Sequence, residues 1–134
     1  MERAEVLALR YRPVTELSGG ERARALIARA LAVRAPALIA DEPLAALDPG
    51  HQLQLMELLK AEAASGALVI AVLHDLAMAA RFCDQLILIH EGRLIADGMP
   101  SQVLTPENLG DCYNIRAWIG MIEDQEVVFP LSRS

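Results

Sequence analysis

Apolar residues in this chain follow two patterns, and the two alternate along it. After Ser18, the positions Ala23, Leu26, Ile27, Ala30 and Leu31 recur at the spacing of one helix face, and Ser18 with Glu21 fits a capping box. The pattern predicts a helix that begins at Ser18 and ends before Pro36. The short run Ala37–Ala40 is apolar throughout and ends in Asp41-Glu42-Pro43, which predicts a strand buried on both faces of a parallel sheet. Asp48-Pro49 reads as an N-cap and first helical residue, opening a helix that runs to about Ser65 and stops at Gly66. Leu68–Leu73 is a second buried strand closed by His74, and Asp75 caps a helix to about Cys83. Gln85–His90 and Leu94–Asp97, joined by Glu91-Gly92-Arg93, read as a strand pair around a tight turn, with shorter helix and strand beyond. This order predicts an α/β layered fold with a parallel sheet.

Composition narrows the class. With 134 residues, 54% hydrophobic and 22% charged, the chain fits one domain with a real core and excludes intrinsic disorder. A net charge of −6 argues against a domain that grips nucleic acid through a general basic surface, so any phosphate must be held locally. The longest apolar run, Ala67–Leu73, is far shorter than the roughly 20 residues a membrane span needs. The charged start Met-Glu-Arg-Ala-Glu has no secretory signal pattern, and a cytoplasmic protein is the expectation. Cys83 and Cys112 have no Cys or His beside them at metal-ligand spacing and read as ordinary reduced thiols.

Three features carry candidate chemistry. Leu17-Ser18-Gly19-Gly20-Glu21 puts two glycines in the first turn of a capped helix, where backbone N–H groups lack helical partners and the helix dipole favours an anion. Read alone, these five residues also fit a plain helix start with a Gly turn. Asp41 and Glu42 follow an apolar strand at the carboxyl edge where open α/β sheets collect ligands. One carboxylate there suits Mg²⁺, which takes few protein oxygens, and its neighbour suits a water that attacks a phosphoryl group. A pair of solvated or capping acids is the plainer alternative. His74 ends the second strand, on the same sheet edge if the strands are parallel neighbours, and completes a nucleotide-hydrolysis constellation. His51 and His90 lack such company and read as a helix-surface and a strand-end residue.

These residues together resemble one family. Leu17-Ser18-Gly19-Gly20-Glu21 is similar to the signature motif of the ATP-binding-cassette (ABC) ATPases, and Ala37–Pro43 to their Walker B strand with its catalytic Glu. Leu47-Asp48 resembles their D-loop and His74 their switch histidine, and the likeness continues through Asp84–Gly98. The resemblance implies an ATPase subunit that pairs head to tail, each ATP lying between one subunit's phosphate loop and the other's signature helix. Carried over, Leu17, Ser18, Gly19, Gly20 and Glu21 would meet the γ-phosphate of ATP held mainly by the partner. Asp41 would serve Mg²⁺, Glu42 the attacking water, His74 the γ-phosphate and Asp48 communication across the dimer. Permease subunits would hold such a protein at the inner face of the membrane, with no nucleic-acid partner.

The chain departs from the family in one large respect. No Gly-x-x-x-x-Gly-Lys-Ser/Thr occurs in it, so the loop that cradles the β- and γ-phosphates is missing, and its only lysine is Lys60, inside a predicted helix. The adenine-stacking aromatic and the Gln loop of relatives are also absent. The resemblance therefore implies an incomplete P-loop NTPase fold lacking the N-terminal phosphate-loop strand and helix. Residues 1–35 would be the end of the helical subdomain and 36–134 the Walker B to C-terminal part of the core. The stretch from Ser101 to Tyr113 and the tail ending Val127–Leu131 are similar to ATPases of iron-siderophore, haem and cobalamin importers. Two other classes compete: a non-catalytic remnant or interaction module, and a DNA-repair or chromosome-structure ATPase. The last is disfavoured by the acidic balance and the lack of sustained heptads. By family the protein is a transport-coupled ATP hydrolase; this chain alone is expected to be inactive.

Overall fold

The computed structural model describes residues 6–133; residues 1–5 and 134 lie outside the described residues, including the start of the segment 1–35. The chain divides into two compact units, Met1–Leu73 and His74–Ser134.

In the first unit, two short 3₁₀ turns, Leu7–Leu9 and Val14–Glu16, lead into helix α1, Gly19–Ala32. Ser18 caps α1 as the sequence predicts: its hydroxyl accepts from the Glu21 N–H, and the Glu21 carboxylate accepts from the Ser18 N–H. Strand β1, Ala37–Asp41, is followed by helix α2, Pro49–Ala64, whose Asp48 N-cap accepts from the His51 N–H. Strand β2, Leu68–Val72, then pairs in parallel with β1, from Ala37 opposite Leu68 to Asp41 opposite Val72. Leu55, Met56 and Leu59 of α2 are buried, as are Val6, Leu44 and Leu47, and together they form this unit's core.

The expectation that β1 and β2 are buried on both faces needs correction. In both strands exposed and half-buried residues alternate. Paired in register, Ile39, Leu68, Ile70 and Val72 share one exposed face, and α2 packs against β2. The run is apolar on both sides because the fold calls for a layer on each. Among the described residues this face is left open. Helix α1 likewise buries none of its residues, and Leu26 and Val33 are exposed.

In the second unit, Asp75 caps helix α3, Leu76–Phe82. Strands β3, Leu86–His90, and β4, Arg93–Gly98, form an antiparallel hairpin; Glu91 and Gly92 at its turn both have positive φ, as a two-residue hairpin turn requires. Helices α4, Pro100–Val103, and α5, Pro106–Tyr113, precede a second antiparallel hairpin of β5, Ile115–Ile122, and β6, Gln125–Arg133. Its core joins Ala80 of α3, Leu104, Leu109 of α5 and Val128 of β6, with Ile115, Ala117 and Ile119 packed against them. The parallel sheet of the sequence reading is thus one two-stranded pair, and the other described sheets are antiparallel hairpins.

Candidate functional site

The start of α1 is built before any ligand is considered. The capping box uses the N–H groups of Ser18 and Glu21, and the Arg22 N–H reaches the Ser18 carbonyl at 2.8 Å. The N–H groups of Gly19 and Gly20 are first-turn donors with no carbonyl four residues back inside the helix. A methyl group placed on Gly19 would meet the Ala46 Cβ at 3.9 Å, and one on Gly20 the Ala46 carbonyl oxygen at 3.5 Å, both ordinary contacts. The chain's own packing therefore tolerates alanine at these positions. What bare glycine supplies is open backbone facing outward, which fits a phosphate oxygen.

The same distances place Ala46 and Leu47 beside the start of α1. The loop that ends in Asp48 thus lies against Gly19 and Gly20, and the structure brings the two sequence-predicted segments Leu17–Glu21 and Leu47-Asp48 together.

Charge reinforces this helix start. The Arg12 guanidinium lies 2.8 Å from the Glu21 carboxylate and also donates to the Glu16 carbonyl. The Ser18 N–H, and after it Arg12, hold the Glu21 carboxyl below its ordinary range. A carboxyl lowered on folding stabilises the folded state above its unfolded value, and that contribution is lost as pH falls through the lowered one. The Ser18 amide proton shift should therefore titrate with a midpoint below the ordinary glutamate range, and Glu21→Gln should abolish the titration; an unchanged titration in the variant would contradict the capping assignment.

Asp41 and Glu42 sit at the carboxyl end of β1. Asp41 is still in strand geometry, whereas Glu42 has φ 45, in the left-handed region that non-glycine residues adopt at a cost of roughly 1–2 kcal/mol. The chain leaves strand geometry between them, so the two carboxylates are carried on different backbone conformations. That suits different tasks, and strain of this kind tends to be held at functional positions. Among the described residues no three Cys, His, Asp or Glu side chains gather as a metal cage. Mg²⁺ held by the single carboxylate of Asp41 would take its remaining oxygens from phosphate and water, the mode this ion prefers.

Asp48 has a partner that sequence reasoning missed. His51 Nδ1 hydrogen-bonds its carboxylate, so His51 is more than a helix-surface residue, and this bond holds the Asp48 carboxyl below its ordinary range. The signal was available in the i, i+3 spacing across the cap. His74 follows β2 and begins the second unit. A depression of about 450 Å³ between Arg34, Pro36, Glu62 and Gly66 lies at the opposite end of the β1–β2 pair from Asp41 and brings together none of the predicted residues.

Comparison with known proteins decides the family. A family model described as ABC transporter matches residues 1–45, which include Leu17–Glu21, Asp41 and Glu42. The hemin import ATP-binding protein of Rhodococcus jostii is 47% identical over 113 residues, covering 84% of this chain and 39% of the relative. The chain belongs to the ABC ATPase family. The cobalamin import ATP-binding protein of Halobacterium salinarum is 45% identical over 121 residues, covering 90% of this ABC chain and 30% of that protein. A solved ATP-binding cassette, dimeric in a post-hydrolysis state bound to ADP and Pi, is 34% identical with a TM-score of 0.64, over 74% of this chain and 44% of that one. The chain thus has the α/β fold of an ABC ATPase and spans less than half the length of these relatives. Among the described residues no helix is long and apolar enough to cross a membrane.

Proposed function

We propose that this chain is the signature-to-C-terminus portion of the ATP-hydrolysing subunit of an ABC importer whose cargo is haem, an iron-siderophore or cobalamin. One observation carries the reading: a capped helix whose Gly19 and Gly20 amides stay open, packed against the loop that leads into Asp48. An open pair of amides whose neighbouring cation, Arg12, is already paired with Glu21 suits phosphate oxygens whose charge is neutralised elsewhere, as when ATP is held mainly by a second subunit.

In this reading Leu17, Ser18, Gly19, Gly20 and Glu21 form the helix start that closes on the partner's γ-phosphate. Asp41 serves Mg²⁺ through its waters, Glu42 accepts the proton of the attacking water, His74 donates to the γ-phosphate, and Asp48 couples the two copies. Mg²⁺, when bound, neutralises charge on the phosphates. Residues 1–35 end the helical subdomain and 36–134 continue the core. Transmembrane permease subunits dock the dimer at the cytoplasmic face of the membrane. The cargo class rests on relatives that are hemin and cobalamin import proteins, and on the likeness of Ser101–Tyr113 and the tail ending Val127–Leu131 to iron-siderophore importer ATPases.

A second reading is a non-catalytic module that completes another subunit's site. The two separate in a protein in which the phosphate-loop half is joined to this chain. If each site needs two copies, specific turnover should rise with protein concentration and level off as dimers saturate. Specific turnover independent of concentration across the monomer range would contradict the head-to-tail reading, and no turnover at any concentration would favour the module.

A further inference from the structure

The β5–β6 hairpin buries one face and leaves the other bare. Ile115, Ala117, Ile119 and Val128 turn toward α3 and α5. On the opposite face Trp118 stands across from Phe129, and Gly120 from Val127. Trp118 and Phe129 are 44% and 61% exposed, although large aromatic side chains are the groups folding most favours removing from water. The Trp118 ring lies flat along the strand: a Cβ on Gly120 would come within 2.6 Å of its Cη2. Glycine here lets the indole form a smooth apolar floor. Ile122, also on this face near the tip, and Leu131, at the bulge near Arg116, are exposed too.

Charge marks the two ends of this face. Exposed Glu123 and Asp124 occupy the hairpin tip, both with positive φ, and exposed Arg116 lies at the open end, facing the same way as Trp118. A second hairpin laid face to face and running antiparallel would set each acidic tip over the other copy's Arg116. In the parallel arrangement tip would meet tip, with four carboxylates together.

From this complementarity we propose that the outer face of the β5–β6 hairpin is a docking surface for a second copy of this chain, in an isologous antiparallel contact. Each Trp118 lies over the partner copy's Gly120 and each Phe129 over its Val127, with Arg116 beside the opposing Glu123 and Asp124. Two strands of eight residues at about 3.3 Å per residue, about 10 Å wide together, bury roughly 500 Å² in total, well under the ~1,200 Å² of a stable interface. The contact is therefore weak by itself. It adds to any other contact between copies without requiring nucleotide.

The test uses the full chain with Cys83 and Cys112 changed to Ser, a short bis-maleimide cross-linker and no nucleotide, so its outcome is independent of the ATP-binding reading. Arg116→Cys and Ile122→Cys are both exposed substitutions. In the antiparallel contact residue 116 of one copy faces residue 122 of the other, whereas like positions are roughly 20 Å apart along the strand. Each variant alone should give little cross-linked dimer, and an equal mixture should give several-fold more. A second arm uses charge: Arg116→Glu and Glu123→Arg, each in the 116/122 cysteine-free chain, should each lose the concentration-dependent blue shift of Trp118, the chain's single tryptophan, and their mixture should regain it. Equal cross-linking in all three samples would assign association to another surface, such as the bare β1–β2 face, and overturn the proposal. So would no cross-linking at any concentration. A blue shift of Trp118 produced only by phosphatidylcholine–phosphatidylglycerol vesicles would make the face a membrane contact instead.

Discussion

Glu42→Gln is expected to abolish ATP turnover while leaving MgATP affinity within a few-fold, once the phosphate-loop half is supplied in the same polypeptide. Glutamine keeps the size and hydrogen-bonding reach of the side chain, but its amide cannot take a proton from the attacking water. General-base catalysis contributes about 10²–10⁴-fold in rate, so turnover should fall by at least that margin. Glutamine matches glutamate in size and backbone preference, so the left-handed conformation at position 42 should persist and the loss should arise from chemistry. Closed dimers with trapped nucleotide should accumulate. His74→Ala should slow turnover in the same direction, because a donor to the γ-phosphate matters most as charge shifts in the transition state. Turnover of the Glu42 variant near the parental rate would remove Glu42 from the reaction.

The 134-residue chain by itself is expected neither to bind MgATP tightly nor to turn it over. A triphosphate needs charge-assisted hydrogen bonds, and the start of α1 offers two open amides and a serine hydroxyl already committed to its cap. The one lysine, Lys60, is exposed on α2, and Arg12, which reaches the helix start, is paired with Glu21. Most of the phosphate charge would stay unmatched. Calorimetric titration should show no binding in the micromolar range, and phosphate release should stay at the uncatalysed level. Micromolar affinity, or turnover lost on Glu42→Gln in the chain alone, would contradict this account.

Local chemistry made much of the fold legible in the sequence. The Ser18–Glu21 capping box, the Asp48-Pro49 helix start and the Asp75 cap each carry their mechanism in a few adjacent residues, and all three stand where the spacing put them. The parallel pairing of β1 with β2 also followed from two short apolar runs separated by a helix. Burial was not legible, because an all-apolar run says that a strand can be covered on both faces and not that it is; Ile39 and Ile70 are exposed. The long β5–β6 hairpin escaped notice because Glu123-Asp124 makes a tight turn without the glycine or asparagine that usually signals one. The pairing of His51 with Asp48 escaped although the cap was read, because the i, i+3 spacing from the cap to a helix-start histidine was not followed up. The resemblance of Leu17–Glu21, Asp41-Glu42 and His74 to family motifs named the candidate site, and the open amides of Gly19 and Gly20 supply its physical rationale.

The central claim is that this helix start closes on phosphate held by another copy, and Ser18→Arg in the joined protein tests it most directly. Arginine removes the cap, at a cost of about 1 kcal/mol, and fills the space in front of Gly19 and Gly20. It leaves the copy's own phosphate loop untouched. Sedimentation velocity with MgATP in a Glu42→Gln background should show dimers for the parent and monomers for the Ser18 variant, both binding nucleotide with similar affinity. Equal dimerisation of the two would contradict the claim and leave Ser18 as a helix cap alone.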